Sequence, residues 1–91
     1  MTNIVMINDD VNLVLTPALL RAARGLANWS QNDLAERAQV SNSTIRNFEA
    51  GRSTPIANNL TAIRRALEAA GVEFIPENGG GAGVRHAKLV D

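Results

Sequence analysis

Residues 29–51, which read WSQNDLAERAQVSNSTIRNFEAG, constrain this 91-residue chain more than any other segment. Apolar residues recur at helical spacing on each side of a short polar break, which predicts two short amphipathic helices separated by a turn of about four residues. Each predicted helix begins at a serine, Ser30 for the first and Ser41 for the second. A serine hydroxyl at this position accepts a hydrogen bond from a free amide of the first turn, so both helix starts are well marked.

Further residues of the segment support the same interpretation. Asp33 lies three residues after Ser30, in the position of a capping box, and Val40 supplies an apolar plug for the turn. Gly51 provides a C-terminal stop for the second helix. The residues predicted to face inward are Leu34, Ala35, Ala38, Ile45 and Phe48. This arrangement is a helix-turn-helix, a motif whose usual role is to hold one helix in the major groove of DNA.

Composition limits the classes of protein to which the chain can belong. Hydrophobic residues make up 45%, but only three residues are aromatic, so the core must be built mainly from Leu, Ile, Val and Ala. The absence of cysteine excludes a disulfide framework and a thiolate metal site, and the single histidine, His86, does not make a metal site. No apolar stretch approaches the roughly 20 residues needed to span a bilayer, and no signal sequence is evident. We therefore expect a single cytoplasmic domain with no metal and no cofactor.

The charge balance is neutral, with nine basic and nine acidic residues. Phosphate neutralisation supplies most of the non-specific affinity for DNA, so a neutral chain is unusual for a DNA-binding protein. Between residues 16 and 55, five arginines face three carboxylates, a local excess of two positive charges. Charge therefore favours nucleic acid only weakly.

The segments around the motif predict two further helices and several short strands. Thr16-Pro17 is a typical helix start, and the helix is expected to end near Asn28. A last helix is expected to begin at Asn58 or Asn59 and to end at Gly71. The helix that starts at Thr16-Pro17 has a predicted apolar stripe of Leu19, Leu20, Ala23 and Leu26. The last helix has a predicted apolar stripe of Leu60, Ile63, Ala66, Leu67 and Ala70.

The two ends of the chain are β-prone. Residues 1–15 predict one or two short strands or a partly ordered arm, and residues 72–75 and 84–89 predict a hairpin around a glycine-rich turn. The glycines of that turn lack the neighbouring residues of a phosphate-binding loop. The expected organisation is an arm over 1–15, a helix-turn-helix domain over 16–71 and a hairpin or tail over 72–91.

The chain resembles the Cro/phage-repressor type of helix-turn-helix domain, also called the xenobiotic-response-element family, from about residue 15 to residue 72. The matching residues are Trp29-Ser30-Gln31, Leu34-Ala35, Val40-Ser41, Thr44-Ile45 and Phe48-Glu49-Ala50-Gly51-Arg52. The ending from Leu67 to Gly81 looks like a subgroup of small bacterial members. The resemblance implies a mainly α fold of four to five helices, with short β segments at the N-terminal arm and the C-terminal hairpin.

The resemblance also implies roles for individual residues. Positions that contact bases in the family correspond to Asn42, Ser43 and Asn47. Arg46 lies on or beside the same face and is expected to contact a base, with phosphate or only water as the alternatives. Positions that contact phosphates correspond to Gln31, Ser41, Arg52 and Ser53. Arg24 and Glu49 match a structural salt bridge between the first and third helices. Gln39 stands where the family usually has a glycine, so a left-handed backbone there would carry an energetic cost.

Two functional hypotheses follow, and neither is an enzyme. The first is a sequence-specific transcription regulator, such as a repressor, that binds double-stranded DNA as a homodimer through the arm and the hairpin. The second is a protein-interaction module on the same fold, either an antitoxin that binds a toxin or an anti-activator that binds a transcription factor. The neutral net charge and the short side chains on the second helix of the motif mildly favour the second hypothesis.

Overall fold

The computed structural model describes residues 5–6 and 14–88, and the fold of this part is mainly helical. Two short strands pair antiparallel before the helices, and a second antiparallel pair follows them. The elements are β1 (Val5–Met6), β2 (Val14–Leu15), α1 (Pro17–Ala27), α2 (Gln31–Ala38), α3 (Asn42–Glu49), α4 (Ala57–Ala69), β3 (Val72–Ile75) and β4 (Gly83–His86). The predicted fold class is confirmed, with four helices in the described residues.

The helix starts and stops that the sequence marks are present. Thr16 Oγ1 accepts a hydrogen bond from the Leu19 amide at 3.1 Å, with Pro17 at the first helical position of α1. The Ser30 hydroxyl accepts from the Asp33 amide at 3.0 Å, and the Asp33 carboxylate accepts from the Ser30 amide at 2.9 Å, which completes the capping box of α2. Local residue chemistry therefore determines where α1 and α2 begin.

The turn between α2 and α3 contains a strained residue. Gln39 adopts the left-handed conformation, with φ 57° and ψ 43°, and the Val40 amide bonds back to the Ala35 carbonyl at 3.0 Å. Ser41 then caps α3 by accepting from the Thr44 amide at 3.1 Å. Gln39 thus takes the conformation that glycine adopts more easily, at some cost in stability.

One apolar core lies between the helices and the hairpin. The apolar faces predicted for α1, α2 and α3 point into this core. Leu19 and Leu26 of α1 and Val40 of the turn are only partly buried. Trp29 is half-buried and packs against this core, as expected of a residue at a helix junction. The buried apolar residues are Leu15, Leu20, Ala23, Leu34, Ala35, Ala38, Ile45, Phe48, Leu60, Ile63, Leu67, Val72 and Phe74.

The predicted start of α4 was wrong, whereas Gly71, with φ 91°, directly follows the C-cap as the expected stop. The helix begins at Ala57 and not at Asn58 or Asn59, because Ala57 is a strong helix former with no breaker after it. Its N-cap is Ile56, which makes no side-chain capping bond. Ala70 is exposed although it was placed on the apolar face, because it is the C-cap and follows the last helical residue.

The C-terminal hairpin is formed, but its second strand is shorter than predicted. The paired residues run from Val72 opposite His86 to Ile75 opposite Gly83, and the Ala87 amide bonds to the Gly71 carbonyl at 2.8 Å. β4 therefore matches the four residues of β3 and does not reach residue 89, which lies outside the described residues. Since β4 contacts α1, the hairpin closes the core on the side of the first helix.

Candidate nucleic-acid interface

Helix α3 has a buried side and an exposed polar side. Ile45, Phe48 and Glu49 are buried and fix the helix against the domain. At about 100° per residue, the four residues expected to contact bases occupy an arc of about 140° on the opposite side. In this arc Ser43 and Arg46 are exposed, whereas Asn42 and Asn47 are half-buried. The fold thus places all four on the side of α3 that is free to approach a ligand.

Helix α2 contributes a residue to this side that the sequence did not indicate. The Asn42 side-chain amide nitrogen donates a hydrogen bond to the Asn32 side-chain oxygen. Asn32 is an exposed residue in the first turn of α2, ten positions earlier in the chain. No local sequence pattern relates two asparagines at that separation, so only the packing of α2 on α3 reveals the contact.

The four residues expected to contact phosphate lie at the ends of α2 and α3. Gln31 is the first residue of α2, and its side-chain amide donates to Glu49 Oε1 at 3.0 Å. The Ser41 hydroxyl lies 2.7 Å from Thr44 Oγ1 and 3.1 Å from Ser43 Oγ. Their contact with phosphate remains a prediction, but Gln31 and Ser41 already have defined positions.

Arg52 and Ser53 follow α3 in an exposed loop. Their backbone amides both point to the Asn47 carbonyl, at 2.8 and 3.4 Å, so the loop folds back on the end of α3. Gly51, with φ 75°, provides the left-handed residue that this reversal requires. Arg52 is therefore an exposed cation close to the C-terminal end of α3.

Arg24 and Glu49 form an ion pair between α1 and α3. Arg24 Nε lies 2.6 Å from Glu49 Oε2, and one of its terminal nitrogens lies 2.8 Å from Oε1. The other terminal nitrogen donates to the Trp29 carbonyl at 3.0 Å. Hydrogen bonding to Glu49 raises the pKa of Arg24 above its ordinary value, so Arg24 is charged at neutral pH. The ion pair joins α1 to α3, and the structural role that the resemblance implies for it stays a prediction.

The C-terminal end of α3 is also bound by a second arginine of α1. Arg21 donates to the backbone carbonyl of Glu49 at 2.7 Å. A cation near the last carbonyls of a helix interacts favourably with the helix dipole. α1 therefore supports α3 through both the side chain and the backbone of Glu49.

The described residues contain neither a candidate metal-binding cluster nor a membrane-spanning helix. In residues 5–6 and 14–88, no group of three or more His, Asp or Glu could hold a metal ion. Across the same residues, no helix is long and apolar enough to cross a membrane.

The comparison with known families decides the class of the protein. A helix-turn-helix family model of the Cro/C1 type matches residues 20–73, from within α1 to within β3. The chain belongs to this helix-turn-helix family. Members of the family are DNA-binding regulators and are typically not enzymes. A search of curated proteins found no match for the chain.

In this helix-turn-helix protein, the family match covers the whole of the motif and most of the core. β4 lies beyond the matched residues, although its Val84 packs against the core. The chain thus combines a DNA-binding domain of a known class with a hairpin that the family model does not fully include.

Proposed function

We propose that this protein is a sequence-specific transcription regulator that binds an operator as a homodimer. The observation that carries the proposal is the polar arc of α3, which presents Asn42, Ser43, Arg46 and Asn47 away from the core. A helix-turn-helix places this side of its second helix against base edges in the major groove. The caps at Ser30 and Ser41 and the Arg24–Glu49 pair hold the helix in place for that contact.

The chemistry of the arc favours particular bases. An asparagine amide can donate to N7 and accept from N6 of adenine at the same time, and an arginine can donate to O6 and N7 of guanine. Asn42 and Asn47 are short, so they require α3 to lie deep in the groove. Arg46 and the nearby Arg52 supply positive charge to the same region.

Dimerisation would give this small surface enough affinity. Two copies related by a two-fold axis would place their reading helices about 34 Å apart, one turn of DNA, on a palindromic site. The N-terminal strands and the β3–β4 hairpin are the proposed dimer elements, because each described sheet has only two strands and so has unpaired edges. Division of the chain into arm, helix-turn-helix domain and hairpin segment is part of the same proposal.

The test is a mobility-shift assay on the DNA upstream of the protein's own gene, over a series of salt concentrations. We expect affinity to fall steeply with salt, since each phosphate contact steepens the slope of log affinity against log salt concentration by about 0.9. Asn47→Ala should weaken operator binding by about 1–3 kcal/mol, which is about 5- to 150-fold. Arg52→Ala should weaken binding to all sequences alike and reduce the slope by about 1 per subunit.

Arg65→Ala is the matched control, because Arg65 is an exposed arginine on α4 and not on α3. It should change the slope less than Arg52→Ala does. If Asn47→Ala and Arg46→Ala both leave binding unchanged, the reading face is assigned wrongly. If the unaltered protein does not bind at low salt, the regulator proposal fails.

A protein-interaction module is the second candidate, and one surface feature favours it. An open groove of about 180 Å³ lies between α2 and α4 and is lined by Trp29, Arg37, Ala66, Ala69 and Ala70. The Arg37 guanidinium lies 5.3 Å from the centre of the Trp29 ring. Together with the zero net charge, this groove supports a toxin or a transcription factor as partner. Failure to bind DNA at low salt, with capture of such a protein, would favour this candidate.

A further inference from the structure

The groove between α2 and α4 combines an aromatic ring, small apolar side chains and one charge. Trp29 lies two residues before α2, and its side chain is half-buried. Ala66, Ala69 and Ala70, at the end of α4, are spaced by three and four residues, which places them on one side of the helix. Arg37, in the last turn of α2, is the single charged member of the five lining residues.

The donor groups of Arg37 are available to a ligand. Its guanidinium carbon lies 5.3 Å from the centre of the Trp29 ring, so the aromatic face holds the cation beside the groove. In the described part of the chain, this guanidinium donates no hydrogen bond to another residue. The nearby Asp33 carboxylate accepts from the Ser30 amide at 2.9 Å instead. A guanidinium has five N–H donors and can bind a carboxylate through two of them, so Arg37 offers a carboxylate site.

The size of the groove suits a molecule with a single ring. Its volume is about 180 Å³. An apolar cavity of about 150 Å³ is large enough to bind benzene. A ring in the groove would contact the Trp29 side chain and the alanine methyl groups of α4, and the open side leaves room for a short chain that carries a carboxylate to Arg37.

The surroundings of the groove favour a small ligand over a protein. A stable protein interface buries about 1,000 Å² or more in total, around an apolar centre. Among the residues that the structure describes, Ile56 is the only large apolar residue that is exposed, at 68%. It precedes α4 and lies ten residues before Ala66, so about 15 Å of helix separates it from the groove. The groove is therefore an isolated apolar spot with the dimensions of one small molecule.

We propose that this groove is a binding site for a small aromatic carboxylate. The ring lies against Trp29 and the alanines of α4, and the carboxylate binds Arg37. A ligand of about ten non-hydrogen atoms in such an open site has an expected Kd of about 0.1–1 mM. None of the five lining residues belongs to α3, so the inference does not depend on the proposed DNA binding. It also gives the groove a different occupant from the protein partner of the second candidate function.

The test follows the fluorescence of Trp29, which is the only tryptophan of the chain and therefore reports on the groove directly. The probe is phenylacetate. Phenylacetamide keeps the ring without the charge, and acetate keeps the charge without the ring. We expect phenylacetate to change the emission saturably with a Kd of about 1 mM or below, and the two comparison compounds to bind about tenfold more weakly.

Two variants locate the ligand in the groove. Arg37→Met keeps a long side chain without the charge, so it should weaken phenylacetate binding about tenfold and make phenylacetate and phenylacetamide bind alike. Ala69→Leu puts a larger apolar side chain at an exposed helical position of the groove, and it should weaken the binding of both compounds.

Arg85→Met is the matched control, because Arg85 is an exposed arginine on β4 that does not line the groove. This variant should bind phenylacetate as the unaltered protein does. Circular dichroism of each variant checks that the fold is retained.

Three results would overturn the proposal. The first is the lack of a saturable change up to about 10 mM phenylacetate, or equal affinity for phenylacetamide. The second is unaltered phenylacetate binding by both Arg37→Met and Ala69→Leu, which would place the ligand elsewhere. The third is binding of a short peptide with one phenylalanine between two aspartates but not of phenylacetate, which would make the groove a docking site for a protein. These measurements contain no DNA, so failure of the regulator proposal would leave them unaffected.

Discussion

Arg24 is the residue whose loss should damage the fold most through a polar interaction. Glu49 has only 4% of its side chain exposed, and Arg24 has 18%. Arg24→Met keeps much of the side-chain length but removes two charge-assisted hydrogen bonds to the carboxylate. Gln31 then remains as a neutral donor to Glu49. The substitution therefore leaves a buried charge with too few partners.

The magnitude follows from the exposure of the two groups. Removing one partner of a buried ion pair costs about 3–5 kcal/mol, because the other charge stays buried. Water can reach the partly exposed Arg24 site and solvate some of that charge, so we expect the lower end, about 3 kcal/mol. A domain of this size has about 5–14 kcal/mol of stability in total. The melting temperature should fall by about 12–24 °C.

The assay is urea unfolding at pH 7, followed by circular dichroism and by Trp29 fluorescence. Arg85→Met is the matched control, because Arg85 pairs with Glu73 at 2.8 Å on the surface, with side-chain exposures of 62% and 42%. Exposed pairs contribute about 0–1 kcal/mol, so this variant should change stability little.

A double variant separates the loss of the pair from the burial of an unpaired charge. Arg24→Met/Glu49→Leu should be more stable than Arg24→Met alone, since it removes the unpaired carboxylate. If Arg24→Met costs no more stability than Arg85→Met, burial of the unpaired Glu49 carboxylate is not the cause of the loss. A double variant less stable than Arg24→Met would contradict that cause as well.

Three other predictions concern the helix ends. Gln39→Gly should raise the free energy of unfolding by about 0.5–1 kcal/mol in thermal melts, because glycine adopts the left-handed conformation without the Cβ clash. Asn28→Gly, at φ 58°, should raise the free energy of unfolding by less, since asparagine tolerates that conformation better. Ser41→Ala should lower the free energy of unfolding by about 1 kcal/mol, because it removes the N-cap of α3. An unchanged melting temperature would contradict this prediction. The hydrogen bonds from Ser30 hold the pKa of Asp33 below its ordinary value of 3.8. The ionised Asp33 carboxylate therefore stabilises the fold above pH 3.8, and this stabilisation is lost as the pH falls through the lower pKa that Asp33 has in the folded protein. Acid unfolding of Asp33→Asn should accordingly depend less on pH below 3.8, and an unchanged dependence would show that the capping box contributes nothing there.

The sequence predicted the features that depend on neighbouring residues. The capping box of Ser30 and Asp33 involves residues three positions apart, and both groups act on the backbone of the same turn. The inward positions of α2 and α3 follow from helical spacing alone. Local chemistry therefore predicted the helix-turn-helix, and the family match agrees with it.

The features that the sequence did not predict depend on packing between distant segments. Arg64 is buried on α4 with 6% exposure, between Leu60 and Leu67, although an arginine is rarely buried and its residue type favours the surface. The inward direction of Val72 and Phe74 depends on how β3 lies on the core, which a four-residue strand does not reveal. The bond between Asn32 and Asn42 likewise requires the packed arrangement of two helices. Which bases α3 would contact in the proposed complex depends on the DNA partner as well.

The contact between β4 and α1 joins the last described strand to the first helix. Such a contact forms only after the chain between them has been brought together, and closing that long loop costs conformational entropy. The domain should therefore fold more slowly than a bundle of helices held by local contacts. The same contact makes it hard for α1 to separate while the hairpin is intact, so amide hydrogens in α1 and the hairpin should exchange with solvent together, as one cooperative unit.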